Sequence, residues 1–202
     1  MKTTLNELRS LVKQVLKEND DQQNIVDIIW SGEVELGLQL LKSLRPRIIP
    51  TKFLMENFGE LLKLAQLPFS KSGLAQLVNL KKLDVLNGNL EFLPESIGNL
   101  TQLETLEISH NHLTTIPQNI IDRLKNLKFL YIHNNNLTSL PDNIGQLTQL
   151  IGIDLSDNNL KSLPDSIGQL TQLVGMNIKN NRIPRETIFK LKQMLPNCVI
   201  HQ

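Results

Sequence analysis

From residue 80 onward, apolar and polar positions recur along this chain in a fixed order. Aligned on Leu80, Leu103, Leu127, Leu150 and Leu173, the intervals are 23, 24, 23 and 23 residues. The stretches LETLEISHNHLTTIP from Leu103, LKFLYIHNNNLTSLP from Leu127 and LIGIDLSDNNLKSLP from Leu150 share the pattern LxxLxLxxNxLxxLP, with isoleucine standing in at some leucine positions. The LxL segment has period two, which predicts a short strand with its leucines on one face and the intervening residues on the other. Asn111, Asn135, Asn158 and Asn181 fall just past that strand. Their short amides are suited to bond neighbouring backbone where the chain leaves the sheet, and stacked copies can form a ladder. Pro94, Pro117, Pro141 and Pro164 then start a return segment from a fixed φ. Three units close with Ile97-Gly98, Ile144-Gly145 and Ile167-Gly168, followed by Thr-Gln-Leu from 101, 148 and 171. A unit this short cannot bury its own leucines, so the units must stack and bury them in one continuous core.

This pattern resembles the leucine-rich-repeat family in its 23-residue LPxxIGxL form, shared by intracellular and bacterial members. The resemblance covers about residues 74 to 200. It implies an α/β solenoid: a curved arc with a parallel sheet on the concave face. The domains expected are a helical N-terminal cap or small helical domain over 1–70 and a repeat domain of about five units over 71–202.

Two departures from the pattern carry information. Gly88 stands where the other repeats have asparagine, so the ladder lacks its first rung. The second repeat has one extra residue and reads Ile120-Ile121-Asp122 in place of Ile-Gly. That insertion falls after Pro117 on the convex side, where it is expected to bulge without disturbing strand register.

Both open ends of a strand stack need covering. A C-terminal cap is expected over 184–202, as a helix from about Pro184 to Met194 and a last strand from Cys198 to Ile200. Cys198 reads as a buried capping residue, since no positive group nearby would activate its thiol. In the N-terminal region, Thr4-x-x-Glu7 is a capping box, and Leu5, Leu8, Leu11, Val12, Val15 and Leu16 make a helical stripe. Further helices are expected over 22–30, over 33–44, ending before Pro46, and from Thr51 through Phe53, Phe58, Leu61 and Leu64. They serve as a cap over the first repeat or as a separate docking domain.

Composition narrows the function. A formal net charge of +1 gives no global field to attract nucleic acid or an anionic membrane. The single cysteine cannot form an internal disulfide, which suits a reducing compartment, and the polar N-terminus does not resemble a secretion signal. A soluble cytoplasmic monomer is expected, with export lacking a cleaved signal left open. No run approaches the ~20 apolar residues that span a bilayer. Glycine-rich phosphate loops, GxSxG, HExxH and paired cysteines are absent, so no enzyme activity and no cofactor are expected.

The resemblance places the non-leucine strand positions on the concave face, where family members usually hold ligands. One column there is Asp84, Glu107, Tyr131, Asp154 and Asn177, preceded by Lys82, Thr105, Phe129, Gly152 and Gly175. The column after it is Leu86, Ser109, His133, Ser156 and Lys179, and a further one is Asn87, His110, Asn134, Asp157 and Asn180. Phe129 and Tyr131 place an aromatic pair in the central repeat, a composition suited to a binding hot spot. Asp84, Glu107, Asp154 and Asp157 would favour a partner presenting Lys or Arg. His110, His112 and His133, with Asp157 one repeat further on, are the candidate metal ligands; imidazoles on an open surface are common without an ion, and no metal site is expected. The function expected is binding of a partner protein or peptide through Asp84, Leu86, Glu107, Ser109, Phe129, Tyr131, His133, Asp154, Ser156 and Asn177. The alternatives are a regulatory subunit or secreted effector that masks a partner enzyme, and carbohydrate or ligand sensing on the same face. RNA binding would call for basic residues among the aromatics, and this face is mildly acidic.

Overall fold

The computed structural model describes residues 71–202. The four helical segments expected before residue 70, and the cap they would form, lie outside the described residues. The chain divides into two compact units, Met1–Val78 and Asn79–Gln202. In the first, the described part is helix α1 (Lys71–Val78), with Leu77 and Val78 buried.

The second unit is a curved α/β solenoid. Its strands are β1 (Lys82–Asp84), β2 (Thr105–Glu107), β3 (Phe129–Tyr131), β4 (Gly152–Asp154), β5 (Gly175–Asn177) and β6 (Val199–His201). They form one six-stranded sheet in sequence order, every neighbouring pair parallel. In β1 to β5 the middle residue is buried while its two neighbours reach solvent, as the period-two pattern requires. The three central repeats contribute the same apolar set to the core: Leu103, Leu127 and Leu150 before the strand, Leu106, Leu130 and Ile153 within it, and Leu113, Leu137 and Leu160 after it. Burying one such side chain stabilises by about 1.5–3 kcal/mol, and each is buried largely against its counterparts in adjacent repeats.

The asparagines join one repeat to the next. Asn111 donates to Val85 O at 2.8 Å, Asn135 to Ile108 O at 3.0 Å, Asn158 to Ile132 O at 2.9 Å and Asn181 to Leu155 O at 2.9 Å. Their Oδ1 atoms accept from the backbone N–H of Leu90, Leu113, Leu137 and Leu160, each at 3.0 Å. The ladder therefore runs from amide to preceding backbone, and not from one amide to the next. This satisfies main-chain groups that the strands, three residues long, leave unpaired inside the stack.

On the convex side the return segments after Pro94 and Pro164 are 3-10 turns, Glu95–Asn99 and Asp165–Gln169, with a shorter one at Ile144–Gln146. The prolines at the start of two of these segments and of α2 have φ between −58° and −67°. In the second repeat the extra residue extends the return segment into an α-helix, α2 (Gln118–Arg123). Strand register on either side is intact, with Thr105 opposite Phe129 and Phe129 opposite Gly152. The α-helix also adds a tie to the preceding repeat, because Arg123 donates to Asn99 Oδ1. At Gly145 a Cβ would stand 2.1 Å from Ser166 O, so the next repeat's return segment packs directly on the glycine backbone.

The C-terminal end comprises helix α3 (Arg185–Met194) and β6, which pairs with β5. The last strand starts one residue later than expected. Cys198 is still in the turn, donating its N–H to Leu195 O at 3.1 Å, and Val199 is the first residue opposite Gly175. Cys198 is half-buried rather than buried.

Candidate functional site

The concave face is built by the two outward positions of each strand and by the turn that follows. Strand register brings Asp84, Glu107, Tyr131, Asp154 and Asn177 into one column, which His201 extends. The same register aligns Lys82, Thr105, Phe129, Gly152, Gly175 and Val199.

The turn row has a backbone basis that period-two alternation does not reveal. Asn87, His110, Asn134, Asp157 and Asn180 all have φ between 52° and 57°, in the left-handed region. Asn, Asp and His are the non-glycine residues most often found there, so the composition of this column was the available signal. The left-handed residue turns the chain out of the sheet. Its N–H still bonds the next repeat, as in His110 N–H to His133 O at 3.0 Å and Asn134 N–H to Ser156 O at 3.1 Å.

The expected contact residues divide into three groups. Asp84 and Leu86 are exposed at the N-terminal end of the sheet, Leu86 being 50% exposed. Glu107, Phe129, Tyr131, His133, Asp154 and Asn177 are half-buried across the middle and C-terminal part. Ser109 and Ser156 are buried and present no contact surface. Both serine side chains brace the surface residues instead. Ser156 donates its N–H and its hydroxyl to Asp154 Oδ1 at 2.9 and 2.7 Å, and Asn177 donates to Asp154 Oδ2 at 3.0 Å. Ser109 donates its N–H to Glu107 Oε1 at 3.1 Å, and its Oγ lies 2.8 Å from His133 Nδ1.

A serine hydroxyl on an imidazole is the pairing a nucleophile and its base would use. Here the serine is 0% exposed, so no substrate carbon reaches its oxygen. The His133 ring also meets the His110 ring edge-on, with centroids 5.0 Å apart. Among the described residues no group of three or more His, Cys, Asp or Glu side chains could hold a metal ion.

Phe129 and Tyr131 lie nearly parallel, at an interplanar angle of 5° and a centroid separation of 6.3 Å. Phe129 leans over β4: a Cβ at Gly152 would stand 3.1 Å from its Cδ1. A Cβ at Gly175, one strand further on, would meet nothing within 4 Å.

Charge is distributed unevenly along the face. Asp84 is ion-paired with Lys82 at 2.9 Å, and the hydrogen bond and charge of Asp84 hold that ammonium above its usual range. Glu104, just before β2, is paired with Lys128 at 2.7 Å and Lys81 at 3.1 Å. Its carboxyl is thereby held below the usual glutamate value of 4.5, the Lys128 hydrogen bond contributing most. Glu107, Asp154 and Asp157 form no ion pair among the described residues. The free negative charge therefore lies from the middle of the face toward its C-terminal end.

Residues 119–196 match the family described as leucine-rich repeat region, and residues 78–137 match the family described as leucine rich repeat. The chain is a leucine-rich-repeat protein. Among solved structures, a leucine-rich-repeat protein of Leptospira interrogans is similar at 36% identity with a TM-score of 0.53, the match covering 55% of this chain and 28% of that one. The leucine-rich repeat domain of APL1B is similar in fold at 23% identity with a TM-score of 0.50, the match covering 57% of this chain and 37% of that one. The chain thus spans well under two thirds of the length of either structure. No curated protein matches it. Leucine-rich-repeat domains are general protein-interaction modules, typically without enzymatic activity of their own. Among the described residues, no helix of this leucine-rich-repeat protein is long and apolar enough to cross a membrane.

Proposed function

We propose that this leucine-rich-repeat protein binds a partner protein or peptide on its concave face, anchored on Phe129 and Tyr131. The observation that carries this reading is the aromatic pair itself: two parallel, half-buried rings on β3, in the interior of the sheet, flanked by carboxylates free of ion pairs. Aromatic anchors surrounded by polar groups are the arrangement in which a few residues supply most of the binding energy. Glu107, Asp154, Asn177 and His133 supply the polar surround, with Asp84 and Leu86 at the N-terminal margin. Ser109 and Ser156 support this surface from beneath.

The carboxylates favour a partner with lysine or arginine over one with phosphates, which argues for a protein and against nucleic acid. On this reading the chain acts as a monomer in a reducing, cytoplasmic setting and uses no cofactor. The helical N-terminal region is a cap or a second docking element.

The test compares capture of a partner by the unaltered chain and by the double variant Phe129→Ala, Tyr131→Ala, with circular dichroism to verify that the variant is folded. Loss of a hot spot of about 2 kcal/mol lowers affinity roughly 30-fold. Equal capture by both proteins would refute the reading.

A further inference from the structure

We infer that the C-terminal half of the concave face takes an extended peptide segment carrying an apolar residue followed, two positions later, by Lys or Arg. The inference rests on the concave face being the binding surface and specifies what that surface selects.

The apolar side of the argument is the floor at Gly152 and Gly175. Register places the two glycines side by side, with Phe129 on the β3 side and Val199 on the β6 side. The Phe129 ring covers Gly152, and nothing lies within 4 Å of a Cβ built at Gly175. Around this depression the surface is apolar: Val174 and Val199 are 60% and 58% exposed. The equivalent positions at the N-terminal end hold Lys81 and Lys82, engaged with Glu104 and Asp84. The glycine floor thus offers an apolar, uncharged seat in one half of the face.

The charged side is Asp154, two residues along β4 from Gly152. Its carboxylate is held by Ser156 and Asn177, both uncharged, so its orientation is set and its charge is not neutralised. Asp157 and Glu107 add negative charge from the turn and from β2. Successive same-side residues of an extended chain lie about 7 Å apart, the same spacing as the outward positions of a strand. Asp154 lies about 7 Å further along than Gly175 and one strand, about 4.8 Å, to the side. A segment inclined from β5 toward β4 therefore seats an apolar side chain over Gly175 and brings a long cationic side chain at the next same-side position to Asp154. For a segment running in that direction, reversal of the two residues would set the cation on the glycine floor and an apolar side chain on the carboxylate.

The experiment uses the full chain and fluorescent nine-residue probes of Gly-Ser sequence carrying Leu-x-Arg, Leu-x-Glu, Leu alone or Arg alone, read by anisotropy at low salt. Leu-x-Arg is expected to bind at least tenfold more tightly than the other three. Gly175→Leu, which fills the floor, and Asp154→Asn, which removes the charge, are each expected to weaken it at least fivefold while circular dichroism is unchanged. The inference is overturned if Leu-x-Glu binds as well as Leu-x-Arg, if Gly175→Leu binds the probe normally, or if no probe binds. Should partner capture depend on Phe129 and Tyr131 while the probes fail, the general reading stands and this specificity falls. If capture is also indifferent to those rings, both fall.

Discussion

The side-chain amide of Asn111 donates to the carbonyl of Val85 at 2.8 Å, reaching back into the repeat before its own. Its oxygen accepts the N–H of Leu90 in that same earlier repeat, at 3.0 Å. Asparagine is suited to this position because its amide carries donors and an acceptor on a stem short enough to stay inside the turn. Aspartate of similar size would lack the donors, and glutamine would need a roomier turn. Stability in a stacked array depends on such contacts between neighbours as much as on the units themselves.

Asn158 is buried and serves Ile132 O, Leu155 O, Ser156 O and Leu137 N. Asn158→Ala leaves these backbone groups buried without that partner, at a cost of about 2–4 kcal/mol. Urea unfolding is expected to show a lowered midpoint, and Asn136→Ala, at an exposed position, is expected to leave it nearly unchanged.

Two glycines should respond oppositely to alanine. At Gly145 the added methyl would meet Ser166 O at 2.1 Å, a backbone atom that cannot rotate away. Gly145→Ala is expected to destabilise by about 3 kcal/mol, with a clear fall in Tm. At Gly175 the methyl meets nothing within 4 Å, and Gly175→Ala should leave the unfolding free energy within about 0.5 kcal/mol of the parent, with Tm nearly unchanged.

Glu104 accepts from Lys128 and Lys81, which hold its carboxyl below 4.5. A carboxylate depressed in the folded state contributes stability that is present above its unfolded value and lost as pH falls through the folded one. An NMR titration of the Glu104 side chain should therefore show a midpoint below 4.5, moving upward in Lys128→Ala more than in Lys81→Ala.

Burial pushes the Cys198 thiol above its usual 9.0. Its reaction with a disulfide reagent at pH 7 is expected to be slower than that of free cysteine, because the thiolate is the reacting form. A rate-against-pH profile with a midpoint below 9.0 would contradict this.

The division of the concave face into contact and support was only partly legible beforehand. Counting from the leucines puts Glu107, Tyr131 and Asp154 in one column, as strand register does. The same counting put Ser109 and Ser156 on the surface with His133, whereas both serines are buried. Leu86, His133 and Lys179 at the same column position reach solvent, so the serines are buried because their short side chains end beneath the surface, bonded to His133 and Asp154.

The sequence by itself determined the repeat, the strand positions, the asparagine rungs and the tolerance of the extra residue after Pro117. These follow from periodicity and from the short reach of each side chain, which are properties of the chain one unit at a time. Only the tertiary structure decided that Asp84 is neutralised by Lys82 while Asp154 keeps its charge, and that Phe129 lies over Gly152 while Gly175 stays open. The contacts of Phe129 with Gly152 and of Asn177 with Asp154 depend on which side chains meet across repeats, and the Lys82–Asp84 pair on rotamers within one repeat, neither of which periodicity fixes.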